Sequence, residues 1–191
     1  MIVNHELKFI FYHVPKTAGT SFRLALSRIP GSVNIGKPTK HLTPAEIGTV
    51  LPPDKVAAAA GYLSFCFVRD PWERFGSLHR FLFLKLRDRY NVPEDLNDFV
   101  KALGDRRGRL QPWHSTRPQL DFAKGLSFIG KFESIEQDMA HIAQLIGRPH
   151  LKMKHKNASG DVVRYRDRMT VESQAIIADI YRDDIEQLGY R

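Results

Sequence analysis

The stretch KFIFYHVPKTAGTSF, residues 8–22, decides the fold. Lys8 to Val14 is a run of apolar, β-branched and aromatic residues, and it predicts a buried strand. Pro15-Lys16-Thr17-Ala18-Gly19-Thr20 breaks that run, and a helical stretch follows from about Ser21 to Arg28. Strand, glycine-containing turn and helix together open a βα unit. Two more apolar runs repeat the order. YLSFCFV, residues 62–68, leads through Arg69-Asp70-Pro71 into a helix reaching about Arg89. A third strand, Ser127 to Phe132, precedes a helix that Ser134 and Gln137 can start as a capping box and that ends at Gly147, with Pro149 just beyond. Strands so widely spaced, each followed by a helix, pair in parallel through right-handed crossovers. The expected class is α/β, a small parallel sheet flanked by helices.

Three more helices are expected. Thr43-Pro44-Ala45-Glu46 is a capping-box start for a helix running to about Val50. Asp95 to Leu103 reads as another, and Thr170 to Leu188 as a final amphipathic helix closed by Gly189, its apolar positions in the core. Gly104 to Pro118 reads as irregular and polar. Nothing divides the chain, so residues 1–191 are expected to form one domain.

Composition narrows the function. Apolar residues at 42% and charged residues at 26% fit an ordinary globular protein rather than a disordered one. Lys plus Arg total 29 against 21 acidic residues, and a net +8 suggests an anionic partner: nucleic acid, a phosphorylated nucleotide or an acidic polymer. Cations are dense over residues 148–168, with Arg148, Lys152, Lys154, Lys156, Arg164, Arg166 and Arg168. The one cysteine, Cys66, lies in mid-strand as a small hydrophobe, which excludes a disulfide framework and a Cys-rich metal site. No basic leader opens the chain and no apolar run approaches the ~20 residues of a membrane span, so a cytoplasmic protein is expected.

Ligands of parallel α/β folds bind at the carboxyl ends of the strands, where the turns after Val14 and Val68 lie. The first turn has the makings of a phosphate or sulfate cradle: helix N-terminal N–H groups, a glycine permitting close approach, hydroxyls from Thr17, Thr20 and Ser21, and the mobile charge of Lys16. It is not the G-x-x-x-x-G-K-[ST] loop, because Lys16 precedes Gly19 and no paired glycine lies upstream. In the second turn Arg69 ends a strand and can fork onto a phosphate, and Ser77 lies in the helix that follows.

Taken together, the two turns resemble those of the sulfotransferases that use 3′-phosphoadenosine 5′-phosphosulfate (PAPS), and more narrowly the family 2, carbohydrate-type branch. PKTAGTSF is similar to that family's 5′-phosphosulfate loop, and VRDPWERFGS to its 3′-phosphate motif, in which an arginine and a serine hold the ribose 3′-phosphate. Trp113-His114-Ser115-Thr116-Arg117-Pro118-Gln119 resembles a His-Trp-Arg-Pro-Gln stretch of the chondroitin-type enzymes, here interrupted by Ser115-Thr116. FIGKFESIEQDM, residues 128–139, is similar to the family's third strand and helix, and Lys156-Asn157-Ala158-Ser159 to its late Asn-x-Ser segment. The cysteine pairs and N-terminal anchor of the Golgi members are absent from this sequence.

The resemblance implies a P-loop-like sulfotransferase fold and in-line transfer of a sulfuryl group from PAPS to a hydroxyl, leaving adenosine 3′,5′-bisphosphate (PAP), with no metal required. Lys16, Thr17, Ala18, Gly19, Thr20 and Ser21 would hold the phosphosulfate, and Arg69 and Ser77 the 3′-phosphate. Lys16 would also steady the leaving group. The candidate general base is His41, beside the start of the helix at Thr43, whose positive end favours a neutral ring. The Lys40-His41-Leu42-Thr43 segment also resembles the position where some members carry a histidine base. His13 and His79 read as structural, and His114 and Arg117 as acceptor contacts. The acceptor stays open among a sugar hydroxyl, a glycolipid or other lipid headgroup, and a small metabolite.

Two alternatives belong to other classes. A P-loop-like nucleotide kinase needs glycines ahead of its lysine, which are missing, and a carboxylate for Mg²⁺, for which Asp70 is the nearby strand-end candidate. A basic nucleic-acid-binding module is compatible with the charge, but no helix-turn-helix, RNP or zinc-finger signature supports it.

Overall fold

Residue Asn4 shows how the sheet begins. It is fully buried, accepts the Leu7 N–H at 2.7 Å, and donates to the Pro30 carbonyl at 2.8 Å and the Ser32 hydroxyl at 3.0 Å. In the computed structural model, which describes residues 1–35, 41–104, 115–152 and 164–191, these bonds tie β1 (Ile2–Asn4) to β3 (Ser32–Asn34) and to the turn leading into β2 (Phe9–Phe11). Helix α1 (Gly19–Leu26) lies between β2 and β3 in the chain. There follow a 3₁₀ helix (Pro44–Thr49), α2 (Pro53–Ala59), β4 (Leu63–Val68), α3 (Pro71–Tyr90) and α4 (Leu96–Gly104). Then come α5 (Leu120–Ala123), β5 (Phe128–Lys131), α6 (Ile135–Leu145), α7 (Val171–Ile180) and α8 (Arg182–Gln187).

The chain divides into two compact units, Met1–Val68 with Asp121–Ala158, and Arg69–Leu120 with Ser159–Arg191. The first holds a five-stranded sheet in the order β3-β1-β2-β4-β5. β2, β4 and β5 pair in parallel, as their spacing predicts. β1 pairs antiparallel with both β2 and β3, so the sheet is mixed rather than wholly parallel. The cause is the short connection His5–Lys8, because a parallel pair needs a crossover of a dozen or more residues. Phe9, Phe11, Phe65 and Phe67 of the strands pack with Phe22 and Leu26 of α1 and Met139 and Ile142 of α6. Phe22 stacks on Phe67 with centroids 3.9 Å apart. Cys66, between Phe65 and Phe67 and so on the opposite face of β4, is fully buried, and burial pushes its thiol pKa up, as suits an inert apolar filler.

The second unit is helical. Trp72, Phe75, Leu78 and Leu82 of α3 pack with Phe99, Val100 and Leu103 of α4 and with Ile177 and Tyr181. Helix α3 begins as its sequence requires: Asp70 caps it by accepting the Glu73 N–H at 3.0 Å, and Pro71 follows.

Three local expectations change. The segment at Thr43 keeps its capping box, with the Thr43 N–H and hydroxyl both on Glu46 Oε2, but it winds as a 3₁₀ helix. Ser134 does not pair with Gln137. Its hydroxyl donates to Asp138 at 2.8 Å, and the same carboxylate oxygen accepts the Lys131 N–H, closing the end of β5. The last helix is broken at Tyr181, whose φ of −114° and ψ of 31° separate α7 from α8. The break serves two side chains described below.

Candidate functional site

β2 and β4 run parallel, and the Tyr12 N–H extends their pairing onto the Phe65 carbonyl at 2.9 Å. Their carboxyl ends therefore share one edge of the sheet. The turn after β2 is conformationally unusual. Lys16 (φ 69°) and Ala18 (φ 59°) both occupy the left-handed region, where a residue with a side chain is disfavoured by about 1–3 kcal/mol. The Thr17 hydroxyl donates to the Val14 carbonyl at 3.0 Å and is buried. Expected as an anion donor, that hydroxyl is committed to holding the turn.

Ala18 is the N-cap of α1 and provides no side-chain cap, and the first turn of the helix carries no acid. The leading N–H groups of an α-helix have no acceptor within the helix, and its dipole favours negative charge there. Lys16 and Ser21 are half-buried and Thr20 is exposed beside this end. The Ala18 carbonyl accepts the N–H groups of Ser21 and Phe22.

Gly19 has a different role from the one expected. A Cβ on it would lie 1.8 Å from Cδ2 of His13, so the glycine makes room for the buried imidazole rather than for a ligand. Gly19→Ala is therefore an overpacking substitution and should destabilise by about 1–3 kcal/mol. A melting curve should show Tm lower by about 2–4 °C per kcal/mol for a chain of this size.

His13 carries His41 with it. The two rings lie 4.4 Å apart between centroids, and His41 Nδ1 is 2.8 Å from the His13 carbonyl oxygen. A carbonyl only accepts, so Nδ1 holds the proton and the lone pair of the neutral ring lies on Nε2. The tautomer is set by this bond. The helix expected after it is a six-residue 3₁₀ helix, Pro44–Thr49. The structure thus gathers Lys16 to Ser21, His13 and His41 in one unit. His13 is structural here, as is His79, which bonds through Nε2 to the Pro93 carbonyl at 2.9 Å.

Arg69 is the residue after the end of β4 and the first of the second unit. Its side chain is 14% exposed, with Nη2 3.8 Å from Glu73 Oε2. Residues 69, 73 and 77 recur at four-residue spacing, so Ser77 continues the Arg69–Glu73 line along α3. Ser77 is half-buried and next to Gly76, whose missing side chain is replaced by the Tyr165 ring: a Cβ there would lie 2.2 Å from Tyr165 Cγ. Arg166 follows. Its N–H donates to Glu73 Oε1 at 3.1 Å, and its guanidinium lies 3.9 Å from the Trp72 ring centroid. Tyr165 and Arg166 thereby seat the described end of the cationic segment on α3.

Segment 115–120 is held from behind. Arg74, 3% exposed, donates through Nη2 to the carbonyls of Ser115 (3.0 Å) and Arg117 (2.8 Å). The Tyr181 hydroxyl donates to the Thr116 carbonyl at 2.7 Å, and burial pushes its pKa up to about 12. Arg117, expected as an acceptor contact, is half-buried in this segment. His114, Trp113, Lys40, Lys154, Lys156 and the Asn157–Ser159 stretch lie outside the described residues. Among the described residues no cluster of His, Cys, Asp and Glu could hold a metal ion, and no helix is long and apolar enough to cross a membrane.

A lysine-bearing turn before an uncapped helix N-terminus, and an arginine directly after a parallel strand, are features of an anion-handling α/β protein. The family comparison gives the particular kind. The profile of the Sulfotransferase family matches residues 1–191, the entire chain, and the protein belongs to sulfotransferase family 2, a family of transferases. An uncharacterized protein of Archaeoglobus fulgidus is 33% identical over 105 residues, covering 54% of this chain and 84% of that relative. No solved structure matches significantly.

Proposed function

We propose that the protein transfers a sulfuryl group from PAPS to a hydroxyl acceptor, a sugar being one candidate, with residues 1–191 as one sulfotransferase domain of P-loop-like fold. The observation that carries the reading is the turn of residues 16–19: two left-handed residues without glycine, one of them a lysine, leading into an uncapped helix that follows a parallel strand. Strain held at such a point is characteristic of ligand-binding turns.

In this reading the N–H groups opening α1, with Thr20 and Ser21, take the 5′-phosphosulfate, and Arg69 with Ser77 takes the 3′-phosphate. The acceptor oxygen attacks sulfur as the bond from sulfur to the bridging oxygen breaks, and PAP leaves. The Lys16 ammonium neutralises charge gathering on that bridging oxygen, the kind of electrostatic aid on which transfer between oxyanions depends. His41 Nε2 takes the proton of the acceptor hydroxyl. His114 and Arg117 would meet the acceptor.

Calorimetry with PAP, and separately with ATP and Mg²⁺, tests the donor assignment. PAP should bind without metal. Metal-dependent ATP binding that excludes PAP would make the protein a kinase instead. The base is tested by His41→Ala. PAP affinity should stay within about twofold, while transfer of labelled sulfate across an acceptor panel should fall by about 10²–10⁴. Undiminished transfer removes His41 from the mechanism.

A further inference from the structure

We propose that Gln119 is the positioning residue that aims Arg69 at the donor's 3′-phosphate, a proposal that rests on the reading of Arg69 given above. Gln119 is fully buried, and both ends of its amide are spent on one residue: Oε1 accepts the Arg69 N–H at 2.9 Å, and Nε2 donates to the Arg69 carbonyl at 2.8 Å. β4 ends at Val68, so its ladder does not extend to Arg69. The amide takes over where the ladder stops. With both main-chain groups fixed, the Cα–Cβ direction of Arg69 is fixed too, and Glu73 lies at the far end of the side chain.

Gln119 is itself seated from two directions. Its own N–H and that of Leu120 donate to the two oxygens of Asp184, at 2.8 and 3.0 Å, and Asp184 is fully buried. The carbonyls of Ser115, Thr116 and Arg117, just ahead of Pro118, are the ones taken by Arg74 and Tyr181. Tyr181 is the break between α7 and α8, and Asp184 lies in the first turn of α8, so both groups come from the point where the last helix is interrupted. Buried polar groups are unfavourable unless they are bonded, and an apolar side chain would fill the space at 119 more simply. Instead three buried polar side chains hold a short segment that delivers one amide to Arg69.

The test compares PAP with adenosine 5′-monophosphate (AMP), which lacks the 3′-phosphate, by calorimetry on folded variants of the whole chain. Gln119→Leu should weaken PAP by about tenfold, the loss of one net hydrogen bond's worth of positioning, and AMP by less than about twofold. Gln119→Glu keeps the acceptor oxygen but turns the other carboxylate oxygen toward the Arg69 carbonyl. Relative to wild type at each pH, it should bind PAP weakly near about pH 8 and recover near about pH 5, because burial against a carbonyl raises the carboxyl's pKa above its ordinary value of about 4.3 and protonation then restores a donor. In the Arg69→Ala background neither substitution should weaken PAP further.

A folded Gln119→Glu that discriminates PAP from AMP like wild type at both pH values overturns the proposal, and so does equal weakening of PAP and AMP. If Gln119→Leu does not fold, the near-isosteric glutamate decides the matter. An Arg69→Ala variant that keeps wild-type discrimination overturns the reading of Arg69 itself, whatever residue 119 does.

Discussion

Arg69→Ala should weaken PAP binding by about 30–4000-fold and leave AMP nearly unchanged. Truncating one partner of a desolvated charge pair typically costs about 2–5 kcal/mol, and each 1.4 kcal/mol is tenfold in affinity. Arg69 qualifies because its side chain is 14% exposed and is held between a clamped main chain and Glu73. Arg69→Lys should recover only part of the loss, because a guanidinium presents a planar fork to an oxyanion and an ammonium a single point. Calorimetry with both nucleotides measures the difference. An alanine variant with wild-type PAP affinity ends the 3′-phosphate assignment.

Lys16→Ala should lower kcat by about 10²–10³ while changing PAP affinity far less. That is the usual effect of removing one group aimed at charge that develops in the transition state. Lys16→Gly separates chemistry from stability. At φ 69° glycine relieves strain that lysine carries, so the glycine variant should melt at or above wild type. It should nonetheless be as slow as the alanine variant. A fast Lys16→Gly enzyme would mean that the ammonium takes no part, leaving Lys16 only a shape in the turn.

How much of this was legible follows from where the information lies in the chain. β2, β4, β5 and α3 were readable because each carries its own signal: an apolar run, or Asp70-Pro71 at a helix start. β1 and β3 were not, since three residues show no period and the pairing of β1 comes from a turn. The 3₁₀ winding after Thr43 was hidden because a capping box opens either kind of helix. The break at Tyr181 was hidden because an apolar stripe runs through both α7 and α8. In the candidate site the two anion turns stood out by residue type. The left-handed Lys16 did not, and neither did the glycine packed on His13. The His13–His41 and Arg69–Gln119 bonds join residues 28 and 50 positions apart. No local rule reaches that far.

The staple of Arg74, Tyr181 and Asp184 on segment 115–120 has an evolutionary corollary. It pins the chain by its own peptide groups, and the carbonyls of residues 115, 116 and 117 are present whatever side chains stand there, so substitution at those three positions leaves the anchor of residue 119 in place.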